Sequence, residues 1–233
     1  MKISVIDKDL RKRVKTQKET LKRNIEKEVT EEEENSPMAP PSAYAPPSEN
    51  MKKVELKDMS IFLKELVKDH NQVKRQLKSF EKTLVSLREK KWKINQDNNQ
   101  SLSEFYQFFD HKVMTHNRVE EKILFPLLNE RLLESGEHST NKKQTAIDLM
   151  EDDHFKFIQL GSLSFNLIGI ASRLQCDDDK SLVFEMAYQS AMELIEMLRL
   201  HIFREDETLF QLAAELITDE EFDNMYKQLQ EFS

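Results

Sequence analysis

The 233 residues carry 38% hydrophobic and 33% charged side chains with a single cysteine, which excludes an intrachain disulfide and any cysteine-ligated metal or iron-sulfur centre within one chain. Three glycines and six prolines are present, five of the prolines between Pro37 and Pro47, and the Leu, Lys, Glu, Gln and Met that dominate elsewhere predict an all-α fold. A net charge of −8 argues against nucleic acid as a partner of the main domain, and no stretch is apolar enough to span a membrane, so the expectation is a soluble, cytoplasmic protein.

Residues 1–28 hold ten Lys/Arg against five Asp/Glu, so a basic segment precedes an acidic remainder. No aromatic residue interleaves those charges, so the expectation is a solvated, partly helical tail; the thin helical stripe of Leu10, Val14, Leu21 and Ile25 offers a protein partner through residues 1–28 as the alternative. "EEEENSPMAPPSAYAPPSEN", residues 31–50, suits neither helix nor core. It divides a mostly disordered extension, 1–50, from a domain at 51–233.

The domain reads as four amphipathic helices. Leu63, Leu66, His70, Val73, Leu77, Phe80, Leu84 and Leu87 recur in steps of three and four, the spacing of one buried helix face. "KKWKINQDNNQ", 90–100, reads as a loop in which Trp92 is a surface residue. The second stripe is Leu102, Phe105, Phe109, Val113, His116, Glu120, Ile123 and Leu127, with Pro126 predicted to kink it or break one hydrogen bond. The third is Ile147, Met150, His154, Phe157, Gly161, Phe165 and Ile168, ending at an acidic loop, "CDDDK", where Cys176 is another expected surface residue. The fourth is Ala187, Ala191, Leu194, Leu198, His201, Glu205, Leu209 and Leu212. Thr218 and Glu221 then have capping-box spacing before a short C-terminal helix with Phe222, Met225, Leu229 and Phe232 on one side. Short loops between helices of similar length predict an antiparallel up-down-up-down four-helix bundle.

Four histidines interrupt these stripes, one per helix. In an antiparallel hairpin two residues lie level when the turn falls midway between them, and the midpoints are Lys93, Ser135 and the Asp177–Asp178 pair. All lie in predicted loops, so the histidines share one height. Residues four apart in a helix differ by about 40° and about 6 Å. His116 with Glu120, and His201 with Glu205, therefore present two groups each to one interior point. An unsatisfied buried polar group costs about 1–3 kcal/mol, so six together call for a ligand. Imidazole and carboxylate suit iron, manganese or zinc. Two carboxylates among four imidazoles suggest two ions, with Glu120 and Glu205 bridging. His111, five residues before His116, points elsewhere, and His138 falls in a loop. Only one Glu-x-x-His exists, so the ferritin-like template is disfavoured and Glu151 remains a candidate outer-shell residue. HExxH, phosphate-binding and G-x-S-x-G motifs are absent.

The chain resembles the hemerythrin-like, or HHE cation-binding, family over about residues 55–216. "HNRVEEKILFP" at 116 and "HIFREDETLFQ" at 201 share His, a Glu at +4, an acid at +5 and Leu-Phe at +8 and +9. An Asp-His pair precedes each, Asp69-His70 and Asp153-His154. The resemblance implies His70, His116, Glu120, His154, His201 and Glu205 as ligands of a non-haem di-iron centre with an oxo or hydroxo bridge, its small-molecule ligand being O2, NO or peroxide. It leaves open which histidines share an ion. Oxygen carriers of the family place a second histidine four residues after the third-helix one, where Ile158 stands here. The pattern is nearer the six-ligand branch that includes repair-of-iron-centres proteins, although residues 1–50 lack the cysteine those proteins carry near their start. The implied roles are redox or oxygen sensing, nitrosative or oxidative stress response and iron-centre repair, with oxygen storage, or an iron-responsive module acting through the N-terminal tail, as alternatives. Glu120 is the expected bridge, Glu121 is expected to face solvent, and Leu124 and Phe125 to wall the site.

Overall fold

The structure, a computed structural model, describes residues 54–137 and 144–231. The extension 1–50, His138 and Phe232 lie outside the described residues. Helix α1, Ile61–Glu89, begins where the Ser60 hydroxyl accepts the Leu63 amide, satisfying one of the amides a helix start leaves free. Every residue of its expected stripe is buried.

The following turn departs from expectation. Lys91 and Trp92 adopt left-handed backbone, φ 53° and 61°, and the Trp92 N–H donates to the Leu87 carbonyl at 2.7 Å. The indole folds back to stack on Phe184, ring centroids 5.5 Å apart. Trp92 is thus a buried residue that closes this end of the bundle, and not the surface residue expected. The loop is also shorter than 90–100: the Asn95 side chain accepts the Asn98 amide and caps a helix that starts at Gln96.

That helix, α2, is one rod in which α-helical segments Gln96–Phe108, Met114–Val119 and Phe125–Ser135 are joined by π-helical turns at Phe109–Val113 and Glu120–Leu124. A π turn inserts an extra residue and resets the face that follows. Leu128, not Leu127, therefore takes the fully buried position. Pro126 falls at the start of the last segment, directly after the second π turn. Gly136, φ 85°, ends the rod as the Glu137 amide donates to the Leu132 carbonyl at 2.9 Å.

Helix α3, Ala146–Arg173, opens with a capping box between Thr145 and Asp148. Ile147, Met150, His154, Phe157 and Gly161 are buried as expected, but Phe165 is 56% exposed. The inward position belongs to Ser164, whose hydroxyl accepts from Tyr106 at 2.9 Å. The approach of α2 is close here, since a Cβ on Gly161 would lie 2.7 Å from the Phe109 ring. Gly161→Ala should therefore cost about 1–3 kcal/mol through overpacking, measurable by chemical denaturation; an unchanged midpoint would show that Phe109 moves freely.

Helix α4 runs Asp177–Arg204, continues through a π turn at Glu205–Leu209 and ends with Phe210–Leu216. Asp177, Asp178 and Asp179, expected in a loop, form its first turn, where carboxylates favour the helix dipole. Cys176, partly buried, immediately precedes it. Helix α5, Asp219–Glu231, starts at the expected capping box, in which the Glu221 amide donates to the Thr218 hydroxyl and the Glu221 carboxylate accepts the Thr218 amide. Phe222 and Met225 of α5 are buried, and Phe222 stacks on Phe62 of α1.

α1 to α4 form the up-down-up-down bundle, with no strand among the described residues and no helix among them long and apolar enough to cross a membrane. Its core comes in two blocks. One, around Leu63, Leu66, Val119, Ile123 and Met150, lies at the end closed by α5; the other, around Val73, Val113, Phe157 and Leu198, extends to Trp92. The layer between them is polar.

Candidate metal centre

That layer holds the four histidines. Each occupies a stripe position between residues of the two apolar blocks: His70 between Leu66 and Val73, His116 between Val113 and Val119, His154 between Met150 and Phe157, His201 after Leu198. All four are buried, and Glu120 and Glu205 are wholly so. The structure thus brings together all six residues singled out from the sequence. His111 is exposed and bonded to its own helix through the Gln107 carbonyl.

The histidines pair by halves of the chain. The His70 and His116 Nε2 atoms are 3.0 Å apart, and those of His154 and His201 3.2 Å. Each glutamate reaches both pairs. The Glu120 oxygens lie 3.2 Å from His116 Nε2 and 3.6 Å from His154 Nε2, while those of Glu205 lie 3.2 Å from both His201 Nε2 and His70 Nε2. Two four-residue groups result, His70, His116, Glu120 and Glu205, and His154, His201, Glu120 and Glu205. In each, one donor atom per residue lies within 4.8 Å of the others, a span that could hold a metal ion.

An outer ring of carboxylates faces the other imidazole nitrogens. His70 Nδ1 is 2.7 Å from Asp206 Oδ1, and His154 Nδ1 is 2.8 Å from Glu121 Oε1, both hydrogen bonds. Asp69 and Asp153 face His116 and His201 Nδ1 at 3.6 and 3.5 Å, ion-pair distances too long for good hydrogen bonds. Lys74 and Lys112 in turn hold Asp206 and Asp69, each at 2.7 Å, and Arg204 lies 3.4 Å from Asp153. Glu121 faces solvent as expected, its side chain 42% exposed, and is at the same time a partner of His154. Glu151 does not take an outer position: it lies with Glu121 and Asp148 around a small pocket beside Phe125.

The π turns place both rings. Glu120 and Glu205 each open one, so the +4 carboxylate enters the centre while the +5 carboxylate leaves it for a histidine on another helix, His154 of α3 or His70 of α1. The sequence showed the +5 acid and the Asp-His pair only as marks of duplication. Their recurrence in both halves was the available signal for the outer ring. The Leu-Phe pair completes the symmetry, Phe125 stacking on His154 at 5.8 Å and Phe210 on His70 at 5.4 Å.

This arrangement fits a cation. With carboxylates facing Nδ1, the N–H belongs on Nδ1 and every Nε2 turns a lone pair inward. Four lone pairs then meet two carboxylates whose oxygens accept no hydrogen bond among the described residues. The interior collects acceptors without donors, which cations satisfy. Where no cation is bound, protons take its place. Burial opposes charge on His116 and His201, yet the adjoining Glu120 and Glu205 prevail and raise them to about 10 and about 9. Burial is likewise outweighed at His70 by Asp206 and Glu205, whereas at His154 it wins and lowers the pKa. His201 and His70 hold Glu205 well below the usual carboxylate range against its own burial.

No curated protein and no solved structure matches the chain. The family model of the hemerythrin HHE cation-binding domain matches residues 61–213, which include all six residues of the cluster, and the chain belongs to that family.

Proposed function

We propose that the protein is a non-haem di-iron protein whose centre reacts with O2, NO or peroxide in redox or oxygen sensing, stress response or iron-centre repair. The observation that carries this reading is the convergence of six buried acceptors in two groups that share Glu120 and Glu205. His70 and His116 would hold one iron, His154 and His201 the other, and the two glutamates would bridge them. Two imidazoles and two carboxylate oxygens leave an iron ion short of six donors, and such open positions supply redox chemistry with small molecules. Ile158 is half exposed and brings no donor to the cluster, which favours a reactive centre over an oxygen store. The apolar blocks on either side limit water, and the outer carboxylates fix the imidazole tautomers. Anaerobic ferrous protein mixed with O2, NO or peroxide should change its absorption stoichiometrically with iron pairs. Recovery of the starting spectrum on removing O2 would support storage instead, and no response to any of the three would refute the reading.

Outer-ring substitutions test the orienting role. Asp206→Ala should weaken metal binding about 10–100-fold while preserving helicity; affinity equal to wild type in a chelator competition would deny Asp206 that role. Acid should weaken uptake too. One proton, on His116 for one ion and on His201 for the other, must leave before each metal enters, so the affinity for each ion is expected to fall by about one decade per pH unit below neutrality. A flat profile between pH 7 and pH 6 would contradict this.

A further inference from the structure

Helix α3 contributes His154 to the centre, yet its outward side is unusually apolar. Phe155, Ile158, Leu163, Phe165 and Ile170 are 62%, 49%, 48%, 56% and 43% exposed, and the exposed Asp148, Glu151 and Asp152 precede them at the start of the same helix. Large apolar side chains grouped on one helix mark an interaction surface, whereas isolated ones do not. The surface asks for an occupant with an apolar stripe about 15 residues long and positive charge beside it.

The chain itself contains such a segment. Leu10, Val14, Leu21 and Ile25 recur at helical spacing over 15 residues, the same separation as Phe155 to Ile170, and lie among ten Lys/Arg in residues 1–28. The point of attachment is also suitable. The described chain begins at Val54, whose amide donates to Gln211 Oε1 at 2.8 Å near the end of α4 and whose side chain packs on the apolar block at the end of the bundle where α3 starts. From there the middle of the apolar face is about 20 Å along the helix at 1.5 Å per residue. The residues between 25 and 54 would cover about 30 Å as a flexible chain. Tethering at that range gives an effective concentration near 1 mM, so an intrinsic dissociation constant of about 0.1 mM suffices for about nine-tenths occupancy.

We propose that residues 10–25 dock as a basic amphipathic helix on the outward face of α3, covering Phe155, Ile158 and their apolar neighbours within the same molecule. The occupant is this segment in preference to a second copy because the face carries acids at one end, which a basic segment complements and an identical acidic bundle repels.

Hydrogen–deuterium exchange on the full-length, metal-loaded protein tests this. Amides of residues 10–25 should exchange at least about tenfold more slowly than in an unstructured peptide, equally at two protein concentrations tenfold apart. The protection should vanish in Phe155→Glu/Leu163→Glu, and independently in Leu10→Glu/Val14→Glu, with metal content unchanged in both. Because the first pair is exposed and the second lies outside the bundle, either pair alone decides the matter. Unprotected amides in the wild type, or protection that survives either pair, would overturn the proposal. Protection that disappears on dilution would assign the face to a second copy and overturn it equally.

Discussion

Metal-free protein should unfold about 16–32 °C below the loaded protein, as expected if two ions, each at about a thousand times its dissociation constant, together contribute about 8 kcal/mol and each kcal/mol moves a chain of this size by about 2–4 °C. The physical origin lies in the centre of the bundle. Ions there would engage the four Nε2 atoms and the Glu120 and Glu205 oxygens, acceptors that converge within 3.0–3.6 Å of one another in a layer between the apolar blocks. The protons that replace the cations are a weaker substitute and depend on pH. A histidine with a raised pKa stabilises the fold fully below its unfolded value near 6.5 and loses that contribution as pH rises through the folded value, about 9 for His201 and about 10 for His116. The metal-free protein should accordingly weaken further between pH 7 and pH 10. Scanning calorimetry with and without chelator checks both points, and coincident transitions would show that the cluster does not couple metal to folding.

The second large effect separates bridging from terminal residues. Glu205→Ala should abolish binding of both ions, because Glu205 belongs to both four-residue groups. His154→Ala should spare the group made by His70, His116, Glu120 and Glu205 and so retain about half the metal. Glu120→Ala should behave like Glu205→Ala, and His70→Ala like His154→Ala. Metal analysis of the purified variants distinguishes the classes. Equal losses in all four would mean that the ions bind only as a unit, and full retention in His154→Ala would remove His154 from the site.

Why was so much of this legible? Each histidine stands where the helical period demands an apolar residue, and a buried imidazole there is conspicuous against Leu66 or Val73. Equal spacing between loops then placed the four at one height, and the second copy of the motif selected Glu120 over Glu121. The outer ring was harder to read because acids on helices usually face water. Only the tertiary fold shows Asp206 bonded to a histidine 136 residues away in sequence. π turns have no local signature, since their cost is met by the site they shape, and a reading at 3.6 residues per turn drifts past them. That drift accounts for Leu127. Trp92 was misread for a related reason: lysines on both sides suggested a surface, but two left-handed residues turn the indole inward. Phe165 sits at the edge of its face, its ring against Tyr106 of α2, while Ser164 takes the inward position.

The most direct test of the central claim is crystallographic: anomalous scattering measured at the iron edge from protein purified without added metal, combined with its iron content. Two iron peaks per chain are predicted, one between His70 and His116 and one between His154 and His201, with Glu120 and Glu205 spanning them. A single peak, zinc in place of iron, or metal bound away from these six residues would contradict the account.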